Sequence, residues 1–372
     1  MDKRVILAVA GSGKTYYICH ELNPQKRNLI IAYTNQNIKN IYSELVNRFG
    51  FIPKDTVIMT FHSFLYKFMI RPFDFSIGEF YGVPRFKSKG VSLIKPPEPS
   101  ILHNGYRRAN PRYTPIGQLE HFIIDQKYYC DLLSTLIIKT ERHRSFSLLN
   151  SACDNINRFF DNIYIDEMQD FREDNWKLLQ KIIDKVNNIL LVGDYYQHSV
   201  NALNNCGIPF QNRKVPVPYQ SYITFLQNIG LEVDTTTLIK SRRCSKDICE
   251  FVTSKLNISI DFDNDNSGQI LWTNSISDIR RILDDDNIIK LVWELSSLYK
   301  FKAVTWGYSK GDTYNDICVI LTDSFSNLDS DEYSIPASIS VNKLYVALTR
   351  SKGNVYIVKR SDFNLVKDDY LV

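Results

Sequence analysis

Val5-Ile6-Leu7-Ala8-Val9-Ala10-Gly11-Ser12-Gly13-Lys14-Thr15, close to the N-terminus, decides the fold class. The apolar run reads as a strand, the small residues as a loop, and Lys14 as the opening of a helix. Such a loop cradles phosphate. Small residues let backbone N–H groups face the oxygens, and the helix N-terminus adds a favourable dipole. The backbone of Ala10, Gly11, Ser12 and Gly13 lines the cradle; Lys14 is placed to reach the β- and γ-phosphates of a nucleotide, and the Thr15 hydroxyl to hold Mg²⁺. Ala8 stands where the usual pattern has a glycine.

The chain has 372 residues, enough for about two ordinary domains with their own cores. Apolar content of 44% and charged content of 23% are those of a globular protein. A net charge of +4 is too mild for a whole-chain polycation argument. Seven cysteines at 19, 130, 153, 206, 244, 249 and 318 form no C-x-x-C pair, so they read as reduced, mostly buried thiols. There is no apolar run of membrane length, and the expected location is cytoplasmic.

Periodicity alternates strands and helices in the first third: strands at 28–33 and 56–59, with a helix at 36–49 between them. Residues 71–117 break the pattern. They hold seven of the thirteen prolines and the bases Arg85, Lys87, Lys89, Lys95, Arg107, Arg108 and Arg112, and read as an irregular insertion. Helical spacing resumes over 119–149, and strands return at 162–165 and 189–192 around a helix at 174–186. Pro209, Pro216 and Pro218 mark 206–236 as a connector. Beyond it, strands are expected at 269–272, 302–306, 317–321 and 355–358, and helices at 288–299 and 340–350. The expected architecture is α/β, with one P-loop unit over 1–205 and a second unit over 237–372.

Two further strand ends carry chemistry. Ile163-Tyr164-Ile165 runs into Asp166-Glu167-Met168-Gln169-Asp170: Asp166 suits Mg²⁺, and Glu167 suits orienting or deprotonating an attacking water. Leu190-Leu191-Val192 runs into Gly193-Asp194-Tyr195-Tyr196-Gln197, where Gln197 can sense a γ-phosphate.

P-loop, D-E-x-Q-D and G-D-x-x-Q in this order resemble the superfamily 1 helicases of the UvrD/Rep type. Further stretches carry the resemblance to the end of the chain. Tyr33-Thr34-Asn35 resembles motif Ia and Thr60-Phe61-His62-Ser63-Phe64 resembles motif Ic. Ser241-Arg242-Arg243-Cys244 resembles motif IV, Ser309-Lys310-Gly311 with Tyr314 resembles motif V, and Tyr345-Val346-Ala347-Leu348-Thr349-Arg350-Ser351-Lys352 resembles motif VI. The resemblance implies two RecA-like domains with parallel sheets, ATP and Mg²⁺ in the cleft between them, and Arg243 and Arg350 as arginine fingers from the second domain. It implies that Tyr33, Thr34, Asn35, Thr60, Phe61 and His62 touch single-stranded DNA, and that Arg242 and Gly311 contact the nucleotide, Arg242 standing where an aromatic stacks on adenine. DNA is preferred to RNA as partner, with 3′-to-5′ movement.

The departures from that pattern matter. With the first strand opening the sequence, no adenine-reading glutamine motif is expected upstream of it, and Thr313 replaces the motif V glutamate, as in viral helicases. Val200 and Ala202 stand where the family carries a base-stacking aromatic pair, leaving Tyr33, Phe61, Phe64, Trp306 and Tyr308 as candidates for that work. Only some 60 residues separate motifs IV and V, too few for the accessory 2B domain. The leading expectation is an ATP-dependent single-stranded DNA translocase or helicase. The alternative is a nucleic-acid-sensing ATPase switch that licenses a separate protein partner, such as a nuclease or a replication, repair or defence factor, without unwinding. Lys14→Ala is predicted to abolish ATP hydrolysis, and Glu167→Gln to keep nucleotide binding while blocking turnover; a Glu167→Gln chain hydrolysing at the native rate in a phosphate-release assay would remove Glu167 from the role of base.

Overall fold

The computed structural model describes residues 3–103, 105–141, 147–198, 206–212, 215–293, 295–330, 333–335 and 340–372. Val200 and Ala202 lie outside the described residues.

Two all-parallel sheets organise the chain. The first has six strands in the order Glu232–Asp234, Lys3–Leu7, Ile189–Gly193, Asn162–Ile165, Asn28–Ala32, Thr56–Thr60. The second has five in the order Ile270–Trp272, Val355–Val358, Asp316–Ile320, Ile288–Val292, Ala303–Thr305. Parallel strands are covered on both faces, which is why Asn28–Ala32 and Ile189–Gly193 are buried along their whole length and read as unbroken apolar runs. The helices Lys14–Glu21 and Asn35–Phe49 pack on one face of the first sheet through Ile18, Cys19, Ile41 and Leu45. Glu173–Lys185 covers the other through Trp176, Leu178, Leu179, Ile182 and Ile183.

Ligands of open parallel sheets bind at the carboxyl ends of the strands. Lys3–Leu7, Ile189–Gly193 and Asn162–Ile165 are neighbours, so the three motifs that follow them meet at one edge.

Several expected boundaries move. The described residues of 288–299 form no α-helix: Ile288–Val292 is a strand inside the second sheet, followed by a 3₁₀ turn at Ser296–Leu298. The apolar residues there satisfy helical spacing only because a strand buried on both faces is apolar almost throughout. Even Lys290 is fully buried, its ammonium donating to the Asp285 carbonyl at 2.5 Å. Residues 119–149 are likewise not one helix. A 3₁₀ turn at Leu119–His121 and two short strands, Ile123–Ile124 and Lys127–Tyr129, precede the helices Leu133–Thr140 and Leu148–Phe159. The 206–236 stretch carries the helix Tyr219–Asn228 and the edge strand of the first sheet, so it completes that domain.

The proline-bearing insertion is tied to the first domain by a small three-stranded sheet, Gly90–Ser92, Lys127–Tyr129, Ile123–Ile124, and projects an exposed hairpin, Ser100–His103 with Tyr106–Ala109. Asp74 fastens it: the buried carboxylate accepts from the Ser88 N–H at 2.8 Å, the Ser88 hydroxyl at 2.7 Å and the Tyr128 phenol at 2.9 Å. All seven cysteines are free and six are buried. Among the described residues, no helix is long and apolar enough to cross a membrane. Asp74→Ala is predicted to cost about 2 kcal/mol by stranding the buried Ser88 and Tyr128 donors; thermal melting and earlier proteolysis between residues 85 and 118 would report it, and an unchanged melt would refute the role of Asp74 as the fastener.

Candidate active site

The phosphate loop forms because its glycines take conformations that other residues rarely adopt. Gly11 (φ +74°) and Gly13 (φ +87°) are both left-handed. Gly11 has a second reason to be glycine: a Cβ there would lie 2.6 Å from Ser241 Oγ and 2.8 Å from Arg243 Cβ, both from the far side of the cleft. Ser12 is turned inward, its hydroxyl donating to the Val9 carbonyl at 2.8 Å. The helix then opens at Lys14 with no side-chain cap, which leaves its first N–H groups turned to the loop.

Lys14 Nζ lies 3.4 Å from Glu167 Oε1, and the Thr15 hydroxyl donates to Asp166 Oδ2 at 2.7 Å. The two candidate Mg²⁺ holders, one residue from the P-loop and one from the strand beside it, are thus already paired. Hydroxyl and carboxylate oxygens suit a hard cation that keeps much of its water and takes its other ligands from phosphate. No group of three or more His, Cys, Asp or Glu able to hold a metal by itself occurs among the described residues. Bound there, Mg²⁺ would neutralise phosphate charge.

Glu167 sits in the left-handed region (φ +54°), a conformation rare outside glycine and seen where a site requires it. Burial, then the charge of Glu167 beside it, pushes the Asp166 carboxyl above the usual carboxylate range. Burial alone would raise Glu167 as well, but the Lys14 and Lys310 ammoniums outweigh it and hold Glu167 below the usual carboxylate range. Gln169 completes the group, donating to Glu167 Oε2 while its carbonyl accepts the Asp194 N–H at 3.0 Å.

Asp194 is a buried hub. It accepts from Gln197 Nε2 at 2.8 Å, the Tyr196 N–H at 3.0 Å and, across the cleft, the Tyr345 phenol at 3.0 Å. The same phenol oxygen accepts the P-loop N–H of Ala10 at 2.7 Å. Two further links join the domains: Asn342 Nδ2 donates to His198 Nε2 at 2.9 Å, and Lys310 forms an ion pair with Asp170. Gln197 therefore spends its amide on Asp194 in this state.

The second domain brings Arg243 to the loop, with a second guanidinium, Arg350, near it. Arg350 is buried, its Nε donating to the Val346 carbonyl at 2.9 Å. Burial, then the positive charge of Arg243, pulls its proton affinity down. Arg243 donates to Thr313 Oγ1 at 3.2 Å, while its buried Nε and Nη2 find no acceptor among the described residues. Neither arginine meets a carboxylate among the described residues. Two adjacent positive charges, one with orphaned donors, form a site built for an anion. Arg242 is exposed, its guanidinium 5.0 Å above the Tyr16 ring, and its backbone N–H donates to the Gly11 carbonyl at 2.9 Å. Gly311 turns the backbone (φ +91°) between Lys310 and Thr313.

The expected nucleic-acid residues divide. Tyr33, Thr34 and Asn35 follow one strand and Thr60, Phe61 and His62 the next, on the same sheet edge as the P-loop. Thr34 and Thr60 cap the helices they precede, accepting from Asn37 and Ser63 N–H. Phe61 is fully buried against Phe171, so it is core and offers no face to a base; Phe64 and Trp306 are buried in the same way. Tyr33 and His62 stand edge-on at 5.4 Å, half-buried, and Tyr308 is 86% exposed. Tyr33 lines a cleft of about 300 Å³ with Asp170, Arg172, Glu173, Asn175, Cys206 and Gly207. Sequence reasoning singled out Glu167 and Gln197 but missed Gln169, Asp170, Asp194, Lys310 and Tyr345 as parts of the site. All five lie inside the quoted motifs; only the fold shows which of their side chains face inward.

Tyr345→Phe is predicted to cost about 1–2 kcal/mol. Burial raises the Asp194 carboxyl to about 6, so ionising it in the folded state costs stability as pH rises through that value, and the phenol offsets part of the cost. The loss on Tyr345→Phe should therefore be larger above pH 6 than below it; equal melting shifts on both sides would refute the link.

A family model described as an AAA domain matches residues 2–202. No curated protein matches the sequence. Among solved structures, the PRRSV helicase aligns with a TM-score of 0.44 at 12% identity over 96% of this chain and 52% of that one. Arterivirus nonstructural protein 10 (helicase) aligns in its complex with DNA at 0.45, with 12% identity over 98% of this chain and 63% of that one. A further structure of that arterivirus helicase gives 0.44, with 10% identity over 95% and 59%. The chain spans about half to two-thirds of the length of those helicases. With more than half of its residues matched, and with the P-loop and its paired carboxylates set at the edge of a parallel sheet, the chain belongs to the AAA domain family.

Proposed function

We propose that this protein is a superfamily 1 nucleic-acid-dependent ATPase of the UvrD/Rep kind that couples ATP hydrolysis to movement on, or unwinding of, single-stranded DNA, 3′ to 5′. The observation that carries the reading is the approach of Arg243, with its orphaned donors, to Gly11 of the phosphate loop, and a buried Arg350 near enough to Arg243 for their charges to interact. Guanidiniums supplied across a cleft stabilise the charge that develops on a transferring phosphoryl group, so hydrolysis requires the cleft to close. In this reading Lys14 holds the β- and γ-phosphates and Thr15 and Asp166 hold Mg²⁺. Glu167, kept ionised by Lys14 and Lys310, takes a proton from the attacking water. Arg242 over Tyr16 forms a flat cationic platform suited to a base.

Charge distribution supports a polyanionic partner. Of the 45 Lys and Arg in the chain, seven lie in the insertion between Arg85 and Arg112, against one of the 41 Asp and Glu, Glu98. All seven side chains are exposed. The positive balance of the protein is thus concentrated on one projecting element, as a phosphate backbone requires.

One observation favours a second reading, an ATPase switch that licenses a partner without unwinding: Phe61, Phe64 and Trp306 are core, which leaves few aromatic faces for a base-by-base ratchet. Hydrolysis by the purified chain should rise at least about tenfold with single-stranded DNA, and more than with RNA, with Lys14→Ala as the blank. No stimulation by either polymer would refute a nucleic-acid-dependent ATPase. Stimulated hydrolysis with no displacement of a labelled strand would favour the switch.

A further inference from the structure

Asp170 belongs to two sites at once. Its backbone N–H donates to the Glu167 carbonyl at 2.9 Å, closing the 3₁₀ turn Met168–Asp170 that starts at Glu167. Its carboxylate lines the cleft of about 300 Å³ with Tyr33, Arg172, Glu173 and Asn175. The same carboxylate is paired with Lys310 of the other domain, and the two side chains are only 16% and 19% exposed.

Lys310 stands on a firm mount. It follows Ser309, whose hydroxyl donates to the Trp306 carbonyl at 2.7 Å, and the buried Trp306 indole donates to the Leu291 carbonyl at 3.1 Å. Separation of the domains must therefore withdraw Lys310 as a unit and break the pair.

We propose that the Lys310–Asp170 ion pair couples occupancy of the Tyr33–Gly207 cleft by a nucleic-acid strand to hydrolysis, with Lys310 acting as a positioning residue for the Glu167 turn from the opposite domain. The inference rests on the nucleic-acid reading given above. Its physical basis is a difference between two states. With the domains apart, the cleft presents the carboxylates of Asp170 and Glu173 beside the single guanidinium of Arg172, an acidic excess toward an approaching phosphate. With the domains together, Lys310 neutralises Asp170, and a strand is admitted. A strand that favours the paired state must in turn favour closure, because coupling between two sites is reciprocal. Closure fixes Asp170, and Asp170 holds the turn on which Glu167 is mounted.

The test uses the full chain, a fluorescent oligothymidylate and ATP hydrolysis with and without it. Lys310→Met leaves Asp170 unneutralised; it should weaken oligothymidylate binding by about tenfold and lower the stimulation ratio by a similar factor. Asp170→Asn removes the charge as well as the pair; it should bind the strand as the native chain does and still lose stimulation, the loss falling on kcat rather than on KM for ATP. The double variant Lys310→Met/Asp170→Asn should recover binding without recovering stimulation, and Lys310→Arg should keep both. Equal loss of binding in Lys310→Met and Asp170→Asn, or full stimulation in either, would overturn the coupling while leaving the nucleic-acid reading intact. Failure of the native chain to bind the strand would overturn both.

Discussion

The ammonium of Lys14 is the charge on which the site depends. It lies between the carboxyl ends of neighbouring parallel strands, where Asp166, Glu167 and Asp194 are all withdrawn from water. Three carboxylates gathered in a buried space would repel one another and give up their charge. Lys14 is the largest favourable influence on each of them, and only at Glu167, where Lys310 and the Gln169 amide join it, is burial outweighed. The paired hydroxyl of Thr15 and the Gln169 amide, shared between Glu167 and the Asp194 backbone, complete the arrangement. The group is an acidic pocket at the mouth of a phosphate loop, tied together by its own hydrogen bonds.

The second domain faces that pocket with an excess of positive charge. Arg243 is close enough to Arg350 to lower its hold on a proton, and neither is relieved by a carboxylate among the described residues. Burying like charges together is unfavourable and persists where a ligand of opposite charge is the intended partner. The neutral contacts across the cleft, Tyr345 to Asp194 and Asn342 to His198, align the two surfaces without cancelling their charges. Lys310 alone forms an ion pair across the cleft with a described carboxylate, and it does so at the edge where the P-loop domain turns from the nucleotide toward the Tyr33 cleft.

Much of the first domain was legible in the residues. The runs at 28–33, 162–165 and 189–192 are apolar because both faces of a parallel sheet are covered, and they lie in the sheet within a residue of their expected ends. The same property misled the reading at 288–299, where continuous burial satisfies helical and strand spacing alike. Prolines at 209, 216 and 218 suggested a connector, yet Pro218 precedes a helix and Glu232–Asp234 pairs with Lys3–Leu7 far away in sequence. A three-residue edge strand leaves no periodic trace. Phe61 and Trp306 show the limit for side chains, since an aromatic beside a functional motif has the same composition whether it faces a base or the core.

The sequence by itself determined the phosphate loop, the acidic strand end and the α/β class, because backbone freedom at glycine, charge beside an apolar run and period are local properties. Only the tertiary structure decided that Gly11 must admit Ser241 and Arg243, that Tyr345 bridges Ala10 and Asp194, and that Lys310 reaches Asp170. Those contacts join residues 140 to 335 positions apart. No local preference specifies such meetings; the packing of one domain against the other does.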